Sequence, residues 1–210
     1  MSSLTLVCFA VPQEAKPFQK LMRGRADVRV LITGMGARNA GRAAREAWQE
    51  LRPSRVFTCG FAGALDPSLL IGDVLCARDT PVRGAKPVTF HCATRVAVTV
   101  EEKSKLRAQT GADAVEMESA VIARVCREAG VPCVTLRVVS DTAQEDLPLD
   151  FNTLLDGNDQ LSSVKLALAI LKAPHKIPAL IGLGRNSARA ASRLAHALVA
   201  ALDTVLASER

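Results

Sequence analysis

Short apolar runs alternate along the chain with alanine-rich or charged stretches of helical period. Residues 4–10 form an apolar run of strand length, and residues 28–33, 55–59 and 73–77 read as further strands. Between the second and third lies an alanine-rich helix over residues 37–51, entered through Gly34-Met35-Gly36 and stopped by Pro53. A short charged helix is expected over residues 101–109. Farther on, Glu116 and Glu118 open a helix whose apolar members Met117, Val121, Ile122 and Val125 recur at helical spacing, and Gly130 and Pro132 end it. The charge-free run 131–136 then predicts a buried strand. Residues 142–150, polar and proline-containing, read as a loop or lid. Residues 164–171 predict a helix broken by Pro174, with Pro178 in the next connection. Asn186 is expected to cap a last helix carrying Leu194, Leu198, Leu202 and Val205 or Leu206.

Strands alternating with helices predict a single α/β domain over residues 1–210, with a helical C-terminal section from about residue 160. A length of 210 residues and a hydrophobic fraction of 49% suit one substantial core. Aromatics make up 3% and tyrosine is absent, which argues against a base-stacking nucleic-acid surface. The formal charge of +6 would favour phosphate, other anionic ligands or an acidic membrane surface. None of the six cysteines forms a CxxC pair. Cys8, Cys59, Cys76 and Cys133 fall in strand-like runs, where a free thiol behaves as a small hydrophobe. His91 and Cys92 are adjacent, but no second pair completes a metal site, so no metal is expected. With no leader-like start and no run of membrane-spanning length, the expected compartment is the cytoplasm.

The chemistry-bearing residues concentrate around the second half of this pattern. Acids at the opening of a helix are followed by Arg137, Ser140 and Asp141 at the end of a buried strand, and open α/β sheets bind ligands at the carboxyl ends of their strands. Each piece also has a plainer reading. Glu116 would complement a helix dipole, and Asp141 would cap a turn. Arg137 sits in an apolar run, where a charge is costly unless paired, so it belongs to a buried salt bridge or a ligand contact. Glu14, after Pro12, reads either as a helix-start acid or as a site residue. Gly36, with Arg38 and Arg42 one turn apart, would present backbone N–H groups and cations to phosphate, or simply a solvated face.

The segments VEMES and VPCVTLRVVSD together resemble the signature of the purine and uridine phosphorylase superfamily. They are most similar to its methylthioadenosine/S-adenosylhomocysteine nucleosidase branch, and also to hopanoid-associated phosphorylase-like proteins. The run CGFAGALDPSLLIGDVL resembles the family's TGSAGGL…VGD segment, with Phe61 where a serine or threonine is usual. The resemblance covers most of residues 1–151. It implies a three-layer α/β/α sandwich with a mixed central sheet.

By that resemblance, the activity is cleavage of the N-glycosidic bond of an adenosine-type nucleoside, by water or by inorganic phosphate as co-substrate. It implies that Glu14 activates the attacking water, that Glu118 grips the ribose hydroxyls and that Met117 packs on the sugar. Asp141 would serve the departing purine, oriented by Ser140. Arg137 would position an acid or hold phosphate, and Glu116 would support the site. The glycines of the CGFAGAL run, Gly63 among them, would let backbone approach the ligand. Phe61, a departure from the family pattern, would line an apolar pocket or fill core, and Phe151 would pack near the substrate or anchor the lid to the core. No other cofactor is implied, and the assembly would be a homodimer. A phosphate-dependent enzyme acting on an adenosyl-hopanoid and a non-catalytic nucleoside-binding protein are the alternatives. The C-terminal basic row Arg185, Arg189 and Arg193 is either a solvated face or a peripheral contact with anionic lipid.

Overall fold

Each buried strand of the central sheet must hide two faces, and the sequence supplies apolar residues for both. The computed structural model describes residues 4–156 and 162–208. It contains strands β1 (Thr5–Phe9), β2 (Val28–Ile32), β3 (Arg55–Ala64), β4 (Val74–Ala77), β5 (Lys86–Val88), β6 (Phe90–Cys92), β7 (Ala114–Glu116) and β8 (Cys133–Asp141). The helices are α1 (Pro12–Leu21), α2 (Gly36–Leu51), α3 (Val100–Thr110), α4 (Ser119–Glu128), α5 (Phe151–Leu154), α6 (Ser163–Lys172) and α7 (Ile177–Ser208).

The sheet runs β2-β1-β3-β8-β4-β5 and is mixed. The β2-β1-β3-β8 block is parallel, β4 is antiparallel to β8, and β7 joins the far end of β3 antiparallel and carries β6. Alternation along β1 separates two cores. Val7 and Phe9 face α1 and α7 with Phe18, Phe57, Val138, Leu194 and Leu198. Leu6 and Cys8 face α2 and α4 with Ala40, Ala44, Ile122 and Val125. This is the expected three-layer α/β/α arrangement. The four strand-assigned cysteines lie on β1, β3, β4 and β8 as free thiols. Burial pushes the Cys8 thiol up to about 12.

Several boundaries differ from the sequence expectation. Glu116 ends strand β7 instead of opening a helix, and Glu118 is the N-cap residue of α4. Strand β8 runs on through Arg137 to Asp141, because the buried guanidinium is paired from outside the strand. Glu14 lies in a full helix, α1. Asn186 caps nothing: α7 already begins at Ile177, since a proline in a first helical turn forfeits no intrahelical bond. The side chains of Val205 and Leu206 lie outside the described residues.

Candidate active site

The carboxyl ends of β1, β3 and β8 lie side by side, and the candidate acids are delivered there by three different local devices. The first is the turn into α1. Pro12 fixes the start of that helix, and its N-cap residue, Val11, has no side-chain acceptor. Glu14 therefore reaches back. Its Oε2 accepts from the N–H groups of Ala10 at 3.0 Å and Val11 at 3.2 Å, and its Oε1 accepts from the N–H of Phe61 on β3 at 2.8 Å. The side chain is buried, and burial raises its pKa against the pull of these donors and of Arg137. Gly60 makes the approach feasible. A Cβ there would sit 2.8 Å from Glu14 Oε1 and 3.0 Å from Arg137 Nη1.

The second device is the turn between β7 and α4. Glu116 accepts from the N–H groups of Glu118 at 2.9 Å and Ser119 at 2.7 Å, and from the Ser119 hydroxyl at 2.7 Å. Arg137, only 1% exposed, donates to Glu116 Oε2 at 2.6 Å and to Thr58 Oγ1 at 3.3 Å. Burial works against ionisation of Glu116, but Arg137 and these donors outweigh it and hold the carboxyl below its usual range. Glu118 is different. Arg137 is 3.8 Å from its Oε2, and its Oε1 accepts the N–H of Gly36 at 2.8 Å. Burial, with Glu116 and Glu14 adding repulsion, outweighs Arg137 and the Gly36 N–H and lifts it to about 7. One acid is thus locked as a carboxylate while its neighbour two residues on is poised near neutrality.

The third device is the end of β8. Asp141 Oδ1 accepts the Ser140 hydroxyl at 2.7 Å, and Oδ2 forms an ion pair with Lys103 Nζ at 2.7 Å. Lys103 is itself 1% exposed and also donates to the carbonyls of Thr142 at 2.6 Å and Glu145 at 2.9 Å. Gly63 leaves room here, because a Cβ would lie 3.1 Å from Asp141 Oδ2.

Glu14, Glu118 and Asp141 line one cleft of ≈ 200 Å³, together with Phe61, Gly63, Glu116, Met117 and Ser140. Met35, Val96, Ala97, Val115 and Leu147 add apolar wall, and Arg95 is the one cation among the described lining residues. Arg137 lies beneath, outside the cleft lining, and acts on the cleft through Glu116, Glu118 and Glu14. The expected phosphate residues are elsewhere. Arg38 and Arg42 are exposed on α2 and line an adjoining groove of ≈ 1080 Å³, which shares Ala10, Val11 and Met35 with the cleft and where Arg42 pairs with Glu46 at 3.5 Å. The Gly36 N–H is already taken by Glu118. Phe151 starts α5, half-buried, and is not part of the cleft wall; Leu147 is the lid residue that is. Among the described residues, no three metal-ligating side chains come together.

Sequence reasoning missed Lys103, Gly60, Arg95 and Leu147. Lys103 sits in a run, EEKSKLR, that reads as solvated. Its burial is made by the loop folded over it, which no helical periodicity announces.

The sequence profile of the phosphorylase superfamily matches residues 9–91 and 82–173. The 5′-methylthioadenosine/S-adenosylhomocysteine nucleosidase of Staphylococcus aureus (strain JH9) is 29% identical in an alignment covering 62% of this chain and 76% of that protein. Among solved structures, the Helicobacter pylori 5′-methylthioadenosine/S-adenosyl homocysteine nucleosidase superposes with a TM-score of 0.70 at 18% identity, covering 97% of this chain and 99% of the other. The futalosine hydrolase of H. pylori strain 26695 does so with a TM-score of 0.70 at 19% identity, covering 97% and 99%. These two structures share the fold described above.

Proposed function

The chain belongs to the phosphorylase superfamily, and from that premise we propose that it cleaves the N-glycosidic bond of a purine nucleoside, releasing the base, with water as the nucleophile. The carrying observation is the convergence of Glu14, Glu118 and Asp141, from three separate parts of the chain, on one cleft. In this reaction the C1′–N9 bond breaks and its electron pair leaves with the purine. The sugar gains positive charge and the base negative charge, so catalysis needs an anion facing the ribose and a proton source at the ring.

Glu118 meets the first need. As a carboxylate it accepts from ribose hydroxyls and faces the developing cation. Met117 and Met35 give the sugar an apolar surface. Asp141, held as an acceptor by Ser140 and Lys103, steers a proton from solvent onto the departing ring, and the proton that water leaves on Glu14 returns to solvent, so that the net reaction consumes one water. Water adds its oxygen to C1′ and gives a proton to Glu14, whose basicity burial has raised. Water is preferred to phosphate because the wall is rich in carboxylates, while Arg38 and Arg42 line the neighbouring groove. The names of the relatives make methylthioadenosine the first substrate to test. The apolar wall of Met35, Val96, Ala97 and Leu147 also suits a larger apolar 5′ substituent, such as the adenosyl-hopanoid alternative. A homodimer is the expected assembly, read by light scattering at assay concentration.

The test is release of adenine from methylthioadenosine and from a 5′-alkyl adenosine, with and without phosphate. Phosphate-independent release supports the proposal. Strict dependence on phosphate, with a pentose 1-phosphate formed, selects phosphorolysis. No release from any purine nucleoside in either condition refutes both and leaves a nucleoside-binding protein.

A further inference from the structure

Helix α6, the turn Pro174–Lys176 and the first part of α7 behave unlike the rest of the chain. Not one described residue between Ser162 and Arg189 is buried, whereas Ala190, Ala191, Leu194 and Leu198 of α7 are core. The segment is nonetheless apolar. Val164, Leu168 and Leu171 recur at helical spacing on α6 and are 69%, 50% and 77% exposed, and Ile177 and Ile181 follow at 39% and 50%. Such a row belongs in a core or against a partner; left in water it is an aggregation liability.

Charge identifies the partner. The exposed arm carries Lys172, His175, Lys176, Arg185 and Arg189, and the sequence has no Asp or Glu between Asp159 and Asp203. A protein partner of ordinary composition would not call for uniformly one sign of charge along an apolar ridge. An anionic bilayer surface does: apolar side chains enter the headgroup–acyl boundary and lysines and arginines meet the phosphates. Among the described residues no single helix is long and apolar enough to cross a membrane. Helices α6 and α7 are bent by 102° at their break. Lys165 donates to the carbonyl of Leu155 and ties the arm to the body.

We propose that the arm formed by α6 and the start of α7 docks the protein on anionic lipid membranes, inserting the Val164, Leu168 and Leu171 ridge and pairing its cations with lipid phosphates. This does not depend on the catalytic reading, because among the described residues no cleft residue lies beyond Leu147.

The experiment is co-sedimentation of the full chain with phosphatidylcholine vesicles, with and without phosphatidylglycerol. Binding is expected to the anionic vesicles only, and to weaken as salt shortens the screening length from about 10 Å at 0.1 M to about 3 Å at 1 M. Lys172→Glu with Lys176→Glu should lower partitioning on the order of 25-fold or more, from about fivefold per cation near the surface. Leu168→Glu with Leu171→Glu should also lower it, and both variants should keep the parent melting temperature, since the arm has no core contacts. No partitioning onto anionic vesicles at low salt overturns the proposal, as does binding that both variants leave intact. A concentration-dependent dimer in light scattering that Leu168→Glu/Leu171→Glu dissolves, without vesicle binding by the parent, overturns it in favour of a second copy of the chain.

Discussion

Replacing Glu118 by glutamine should give a protein that is more stable at pH 8 than the parent and severely impaired as a catalyst. The carboxyl is buried and stands at about 7, against an ordinary value of 4.5. A folded-state pKa raised above the unfolded one means that this group's stability contribution is complete below the unfolded value and is lost as pH rises through the folded one. The window is therefore pH 4.5 to about 7, and the gap corresponds to about 3 kcal/mol. Glutamine keeps an oxygen for the Gly36 N–H and removes the buried charge. It also takes one anion from Arg137, although Glu116 at 2.6 Å remains the guanidinium's main partner. We therefore expect a net gain of about 1–3 kcal/mol at pH 8 and little difference at pH 4.5. For a chain of this size that is roughly 2–12 °C in Tm. Calorimetric melts of both proteins at the two pH values, with steady-state kinetics alongside, read the two effects. Turnover should fall on the order of tenfold or more, since the lost interaction strengthens in the transition state. An equal Tm difference at both pH values, or a variant less stable at pH 8, would refute the account of Glu118 as a strained carboxylate kept for function.

Lys103→Met should leave Asp141 without its cation and two loop carbonyls without a donor. A loss of about 3 kcal/mol in melts and faster cleavage after Glu145 by a glutamate-specific protease are expected; unchanged proteolysis would show that the loop is held elsewhere. Gly60→Ala places a methyl 2.8 Å from Glu14 Oε1 and should depress turnover through displacement of Glu14, while KM for a nucleoside moves less.

What could be read in the sequence followed from local pattern. The strand runs, the alanine-rich α2 and the joint appearance of acids, Arg137 and Asp141 point to the architecture and to the polar residues of the cleft. What could not be read depended on partners far along the chain. The charge-free run 131–136 marks the strand only as far as Leu136, and it is the pairing of Arg137 with Glu116, from 21 positions earlier, that lets the strand run on buried to Asp141. Glu116 looked helical because β7 is three residues long and exists only by pairing with β3 and β6. Lys103 looked solvated because the loop that buries it is folded on by tertiary contact. Arg38 and Arg42 showed a plausible spacing, but spacing on one helix does not say which of two neighbouring hollows that helix faces.

The division within α7 has an outcome for how such a protein can change. From Ala190 on, this one rod seals the core beneath β1, β3 and β8, while no described residue of its first part, up to Arg189, is buried. Among the described residues, every side chain in the cleft wall comes from Ala10 to Leu147. The arm can therefore be exchanged, lengthened or retuned in charge without touching a reacting group, so long as the rod continues in phase into Ala190. A lineage could redirect where the catalyst works, or what delivers its substrate, at almost no cost to the chemistry itself.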